Sequence, residues 1–565
     1  MSEAEKRKDI IIFTGQSGMD VKECLNRLNQ RENLSRHEPI DVEREMEKSS
    51  GEDFAGELLR APPKAQEKMW RQTLKRVQGD METSDDDEYV FLSFHASYYH
   101  PSKTEFACAA DLGALAELRD RTKMVIVLVD DCYNIYKRLM APGKMFHKVT
   151  EEKDDRGESV DPLDALLKSI WNLSTILTWR EVEIAFSRKI ATFLDVPFYV
   201  IAVRHPTPVF SRLIKGSSRG SQGDIKLLYL AHSISEIREA GSDRYSYFIH
   251  ELSDFIRELT KHDDVVLFVP DAIDEKRIKK DGRGRFLPET LDGWQLPFHN
   301  DEMLFVPLET SVRKIPPLNP RSYEFGRASD QICSSVSYLL ADLTNRITQQ
   351  INSRDRTLVE QSEDGLVVYR PYPDGAYPSA GVDREIEYSS ILRDEYSDDY
   401  SGTRRKVILL STAEDLGRLR ITMAFDKLRY NVGGLGNAWG SFEDEKQRWQ
   451  NDLSLVDQFF QGTWDLSAVR NQLEPMLLAN WKDYVFDSDF VSQEESSLQG
   501  EDIDKKFDNR ERGWKAIRRA VVTSTPYDEK VKKTDLYMFV HQGELTQAMK
   551  DVADVAAGQS SEGAK

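Results

Sequence analysis

The chain has 565 residues, 39% hydrophobic and 31% charged, with a formal net charge of −20. That length exceeds what one hydrophobic core organises and predicts several domains, and the composition is that of a folded chain. The acidic balance disfavours nucleic acid and anionic membrane as partners, and no run approaches the ~20 apolar residues that span a bilayer. Four cysteines, Cys24, Cys108, Cys132 and Cys333, form no CxxC or metal-ligand spacing, which predicts a reducing, cytoplasmic setting without disulfides. The ten histidines show no HExxH pattern, so no metal site is predicted.

The first apolar run, Asp9–Thr14 (DIIIFT), reads as a buried strand ending in a glycine turn rather than as a signal peptide. Glu88–Phe94 (EYVFLSF) and Lys123–Val129 (KMVIVLV) are two further buried strands, with polar helices between them. A helix from Trp179 places Val182, Phe186, Ile190 and Leu194 on one face and leads into the strand Pro197–Val203. The segment Lys215–Gly223 (KGSSRGSQG) marks a domain boundary. A second strand–helix series follows: Ile225–Ala231, a helix around Tyr245–Leu259, Asp264–Pro270, an irregular Pro-rich stretch over 271–325, a long helix over 327–360, Gly365–Tyr369, a helix from about Gly381, and Lys406–Ser411. The predicted class is α/β: two doubly wound, Rossmann-like parallel-sheet domains over 1–215 and 225–425. A mainly helical, Trp- and Phe-rich region over 430–555 and a disordered tail over 556–565 complete the chain.

After the first strand, Gly15-Gln16-Ser17-Gly18-Met19-Asp20-Val21-Lys22 opens a helix, an arrangement whose backbone N–H groups and helix dipole can cradle phosphate. Asp130, at the end of a later strand, is placed to hold magnesium. This region resembles the nucleotide-kinase branch of P-loop proteins, with Gly15, Ser17, Gly18, Lys22 and Asp130 as the nucleotide-binding candidates and a magnesium nucleotide as the implied ligand. The pattern requires Gly, Lys and Ser/Thr where this chain has Asp20, Val21 and Lys22, which predicts a kinase-like scaffold with a degenerate phosphate loop. A kinase would need Lys22 to swing round as a substitute.

Three later segments carry a second signal: Leu228-Tyr229-Leu230-Ala231-His232-Ser233, Asp364 with the strand after it, and Ser379-Ala380-Gly381-Val382-Asp383-Arg384-Glu385-Ile386-Glu387. In this order they resemble the nucleoside 2-deoxyribosyltransferase superfamily, including its 2′-deoxynucleoside 5′-monophosphate N-glycosidases. The resemblance covers about 190 residues, around 225–412. It implies Glu385 as nucleophile through the G-x-x-x-E spacing from Gly381, Asp364 as the acid that contacts the base, and Tyr229 beside the carboxylate. Ser379 stands where the glycosidase branch binds the 5′-phosphate, and Ser233 is a second phosphate donor. Independently of the resemblance, cleavage of an N-glycosidic bond needs a carboxylate to face the cationic sugar carbon and an acid to assist the departing base.

Asp364 and Glu385 are expected to face one crevice at the carboxyl ends of parallel strands, with the helix dipole favouring ionised Glu385 if it sits in the first turn. The family's glycines are replaced by His232 and Glu387, and Glu387 is an alternative carboxylate. The implied ligand is a nucleoside or nucleoside 5′-monophosphate, with no resident cofactor, and relatives of this kind self-associate. A non-catalytic nucleotide sensor and a kinase with a non-standard loop are the competing functions.

Overall fold

The computed structural model describes residues 9–35, 38–50, 61–82, 89–100, 104–108, 110–140, 145–146, 162–218, 225–234, 242–273, 278–280, 286–288, 330–371, 380–396, 405–413, 536–541 and 545–558. Two parallel sheets with flanking helices make the chain an α/β protein. Its contacts divide it into two compact units, Met1–Leu227 with Asp263–Ser362, and Leu228–His262 with Glu363–Lys565. By this division residues 263–362 group with the first unit.

In the first unit, β1 (Asp9–Thr14), α1 (Val21–Glu32), β2 (Ile40–Asp41), α2 (Val42–Ser50), α3 (Pro63–Glu82) and β3 (Tyr89–Phe94) follow one another. A short hairpin of β4 (Tyr98–His100) and β5 (Glu105–Ala107) comes next, then α4 (Leu112–Ala116), β6 (Thr122–Val129) and α5 (Cys132–Leu139). The long helix α6 (Pro162–Leu194), β7 (Phe198–Ala202) and α7 (Thr207–Ser218) end this stretch. The five parallel strands run in the order β2-β3-β1-β6-β7. The near-continuous apolar runs of β1, β3 and β6 are explained by burial on both sheet faces. Trp70 of α3 packs edge-on against Phe94, with ring centroids 5.4 Å apart, within a core that includes Ile10, Ile12, Val90 and Leu92. The helix expected from Trp179 begins at Pro162, and its middle is apolar enough to be buried, with Leu173, Ile176 and Leu177 enclosed.

The chain continues through β8 (Lys226–His232), α8 (Ser242–Leu259) and β9 (Val265–Phe268), the edge strand beside β8 in the second sheet, then the hairpin β10 (Ile278–Lys280) and β11 (Phe286–Pro288) and the long helix α9 (Asp330–Gln361), which groups with the first unit. That hairpin lies inside the stretch read as irregular. Gln361, the last residue of α9, meets Val200 of the sheet-edge strand β7: its Oε1 accepts the Val200 N–H at 2.9 Å and its Nε2 donates to the Val200 carbonyl at 2.9 Å. Gln350 of the same helix accepts from Arg180 Nη2 at 2.9 Å, and His205 Nε2 accepts from the Val269 N–H at 3.1 Å.

In the second unit, β12 (Gly365–Pro371) lies between β8 and β13 (Lys406–Ala413), and β14 (Leu536–His541) flanks β13; all these pairings are parallel. The helix α10 (Ala380–Tyr396) links β12 to β13, and α11 (Leu545–Ala556) packs on α8. Side chains alternate across a strand, so Leu366 and Tyr369 point to opposite faces of β12. Tyr369 donates to Glu251 of α8 at 2.6 Å, while Tyr229, level with Leu366, reaches α10 on the other face. The two helices therefore cover opposite faces, as a doubly wound sheet requires. Leu536–His541 is a strand in the region expected to be helical; apart from 536–541 and 545–558, that region and the tail after Gly558 lie outside the described residues.

Candidate functional site

The second unit joins two of its expected site residues. Tyr229, in the middle of β8, is fully buried, and its hydroxyl donates to Glu385 Oε1 at 2.9 Å. Glu385 is brought there by the helical repeat. Val382, Ile386, Ser389 and Ser390 form the buried stripe of α10, and Glu385 stands three residues after Val382 and four before Ser389, on the same side. Glu387, two positions on and therefore about 200° round the helix, is exposed. The geometry selects Glu385 over Glu387 as the inward carboxylate.

Two expectations about this site are corrected. Glu385 is the sixth residue of α10, not part of its first turn, so it lies beyond the reach of the helix N-terminus, and the donor in place is the Tyr229 hydroxyl. Asp364 precedes β12 at its amino-terminal end, where its carbonyl accepts the Lys406 N–H at 3.0 Å. The carboxyl end of a seven-residue strand lies roughly 20 Å away. Asp364 does not stand in a crevice at the carboxyl ends. A position one residue before a strand in sequence is fixed to the strand's start, which separates Asp364 from a site at the strand's carboxyl end. His232, the last residue of β8, and Ser233 after it are buried at the carboxyl end, and Gly381 is exposed in the first turn of α10. Ser379 lies outside the described residues.

The turn after β1 forms as expected, but its chemistry is different. Gly18 adopts φ +89°, and the Met19 N–H closes the turn on the Gln16 carbonyl at 3.0 Å. Ser17 is half-buried in this turn, and Asp20 caps α1 by accepting the Glu23 N–H at 3.2 Å. Lys22 does not turn towards it: its ammonium pairs with Glu38 at 2.6 Å, and that hydrogen bond holds the exposed Glu38 carboxyl below its usual range. Gly15 directs its N–H at Glu183 of α6, at 3.1 Å.

Asp130, expected to take magnesium, is buried among protein donors. It accepts Arg138 Nη2 at 2.7 Å and Asn134 Nδ2 at 3.1 Å, and Arg204 Nε lies 3.8 Å away. Among the described residues, no group of three or more His, Cys, Asp or Glu side chains could hold a metal ion.

Glu183, which the sequence did not single out, is the most heavily coordinated carboxylate near this turn. Its Oε1 accepts the N–H groups of Gly15 at 3.1 Å and Ala96 at 2.8 Å; its Oε2 accepts the Ser97 N–H at 2.7 Å and Ser97 Oγ at 2.6 Å. Burial raises its pKa, against the pull of His95 and these donors. His95 bonds through Nδ1 to the Gly15 carbonyl, and its backbone N–H donates to Glu43 Oε1 at 2.8 Å. Burial pushes the Glu43 carboxyl up to about 7, with His95 opposing. The sequence carries no trace that singles out Glu183 among the neighbouring charges Arg180, Glu181 and Arg188, because its partners come from residues nearly ninety and more than 160 positions away.

Compared with known proteins, the chain matches no protein-family model, and no curated protein is significantly similar to it. Among the described residues, no helix is long and apolar enough to cross a membrane.

Proposed function

We propose that the second unit cleaves or transfers the N-glycosidic bond of a nucleoside or nucleoside 5′-monophosphate, with Glu385 as nucleophile and Tyr229 as the residue that orients it. The observation that carries this reading is the 2.9 Å hydrogen bond between Tyr229 and Glu385, which unites two of the three motif segments across 156 positions of sequence. In the proposed reaction the Glu385 carboxylate attacks the anomeric carbon, the carbon–nitrogen bond breaks, and its electron pair leaves with the base, which takes up a proton. Water, or an acceptor base, then displaces Glu385 from the sugar. The Tyr229 hydroxyl holds Glu385 Oε1 and so orients the carboxylate. Asp364, at the far end of its strand, is not used as the acid in this scheme. Among the described residues, Cys24, Cys108 and Cys132 form no disulfide, which suits work in a reducing cytoplasm.

The test is chromatographic detection of free base from a panel of nucleosides and 5′-monophosphates, comparing wild type with Glu385→Ala. Release from monophosphates that disappears in the variant is the expected result, and release only with an acceptor base would make the activity a transfer. No release from any substrate, together with thermal stabilisation by nucleotides, would replace this reading with that of a nucleotide sensor.

A further inference from the structure

The first parallel sheet has its own switch point, where ligands of open α/β sheets bind. From β1 the chain crosses past β3 to reach β2, and from β3 it crosses back past β1 to reach β6. The carboxyl ends of β1 and β3 therefore border the crevice in which a ligand would be expected. What these two ends present is a set of four convergent donors: the N–H groups of Gly15, Ala96 and Ser97 and the Ser97 hydroxyl. Trp179 Nε1 donates to Ser97 Oγ at 3.1 Å, orienting that hydroxyl so that its proton goes to the anion, and the His95 ring lies against the Gly15 carbonyl. Backbone donors converging in this way form a nest for an oxyanion.

We propose that this nest is an oxyanion site whose resident occupant is the chain's own Glu183 carboxylate, so that the first unit is a self-ligated scaffold closed to nucleotide phosphate. Three features of the surrounding structure agree. The carboxylate uses both oxygens and enters from α6, so it is fixed by the fold rather than by a passing rotamer. The acid on the other side of β1, Asp130, is matched in the opposite sense: the charges around it are the guanidinium groups of Arg138 and Arg204, where a metal would need free oxygens. Lys22 is engaged by Glu38. An anion thus stands where a phosphate would be held, and cations stand where a metal would be held. Each half of a phosphate–metal site is neutralised from within, without loss of the strand–turn–helix framework.

The experiment removes the resident anion and offers a replacement. In the full-length Glu183→Gly chain, the four donors lose their acceptor and the melting temperature drops. Formate or inorganic phosphate at about 20 mM should then raise that temperature by roughly 3 °C or more beyond a sodium chloride control, while wild type shows no such gain with formate. Formate separates this site from any phosphate pocket in the second unit, because it replaces a carboxylate and not a nucleotide. A folded variant indifferent to both anions would overturn the proposal.

Should the glycine variant fail to fold, hydrogen-exchange mass spectrometry of the wild-type chain supplies the second measurement. Peptides containing Gly15 and Ala96–Ser97 should exchange identically with and without a magnesium nucleoside triphosphate. A change confined to those peptides would show that the nest opens to phosphate, and the proposal would fall.

Discussion

The Tyr229 hydroxyl is a neutral donor to a carboxylate, and its removal tests orientation separately from nucleophilicity. Tyr229→Phe keeps the ring in its buried position and leaves Glu385 without this partner. The expected result is a loss of about 10- to 100-fold in kcat with a smaller change in KM, measured by base release, against complete loss in Glu385→Ala. A second residue-scale prediction concerns His205, which is buried and neutral: burial lowers its pKa from the ordinary 6.5 to about 4. Its lowered value means that the unfolded chain binds the proton first as pH falls. The contribution is fully present above pH 6.5 and is lost between there and about 4. At full extent it amounts to about 3 kcal/mol. The melting temperature of wild type should fall across that window more steeply than that of His205→Asn.

At this scale the sequence was informative where a spacing had chemical meaning, as in Gly381 to Glu385. It left Glu385 and Glu387 unresolved, because the choice depends on which side of α10 meets the sheet. Glu183 was out of reach because none of its partners is local.

Among the elements, β12 is the most constrained. Gly365 begins it with φ +143°, and a Cβ there would lie 2.1 Å from the Lys406 carbonyl oxygen, a backbone atom that cannot move aside without breaking the β12–β13 pairing. Gly365→Ala is expected to destabilise the second unit by about 2 kcal/mol or more, seen as a lower denaturant midpoint, with base release falling in parallel as the Tyr229–Glu385 pairing loosens. Strands such as Asp9–Thr14 and Thr122–Val129 were legible because burial on both faces turns the whole segment apolar. The strand Leu536–His541 was missed: six residues ending in histidine, set among aromatic segments, carry no periodicity that separates strand from helix, and only pairing with β13 decides the matter. The early start of α6 was hidden for a related reason, since a helix buried on several sides loses the polar face by which an amphipathic one is recognised.

At the scale of the whole molecule, the chain leaves the first unit after Leu227, returns at Asp263 and leaves again after Ser362. A linear reading placed a boundary at Lys215–Gly223, where polarity and glycine signal a linker, but nothing local could indicate that α9 belongs with the sheet of β1 and β7. The contacts that decide it are Gln350 with Arg180 and Gln361 with Val200. A fragment of residues 1–227 is therefore expected to have a lower urea midpoint than the first unit has in the intact chain, measured by circular dichroism. An equal midpoint would mean that these contacts contribute little.

The Gln361 side chain reaches the margin of a sheet whose last strand would otherwise offer a free peptide group at Val200. By presenting one acceptor and one donor at the spacing of a peptide bond, the amide fills the place of a neighbouring strand for a single rung. An uncovered strand margin is a template for pairing with other chains. On that ground Gln361→Ala is expected to form intermolecular β-structure on prolonged incubation sooner than wild type, even where its melting temperature is little changed.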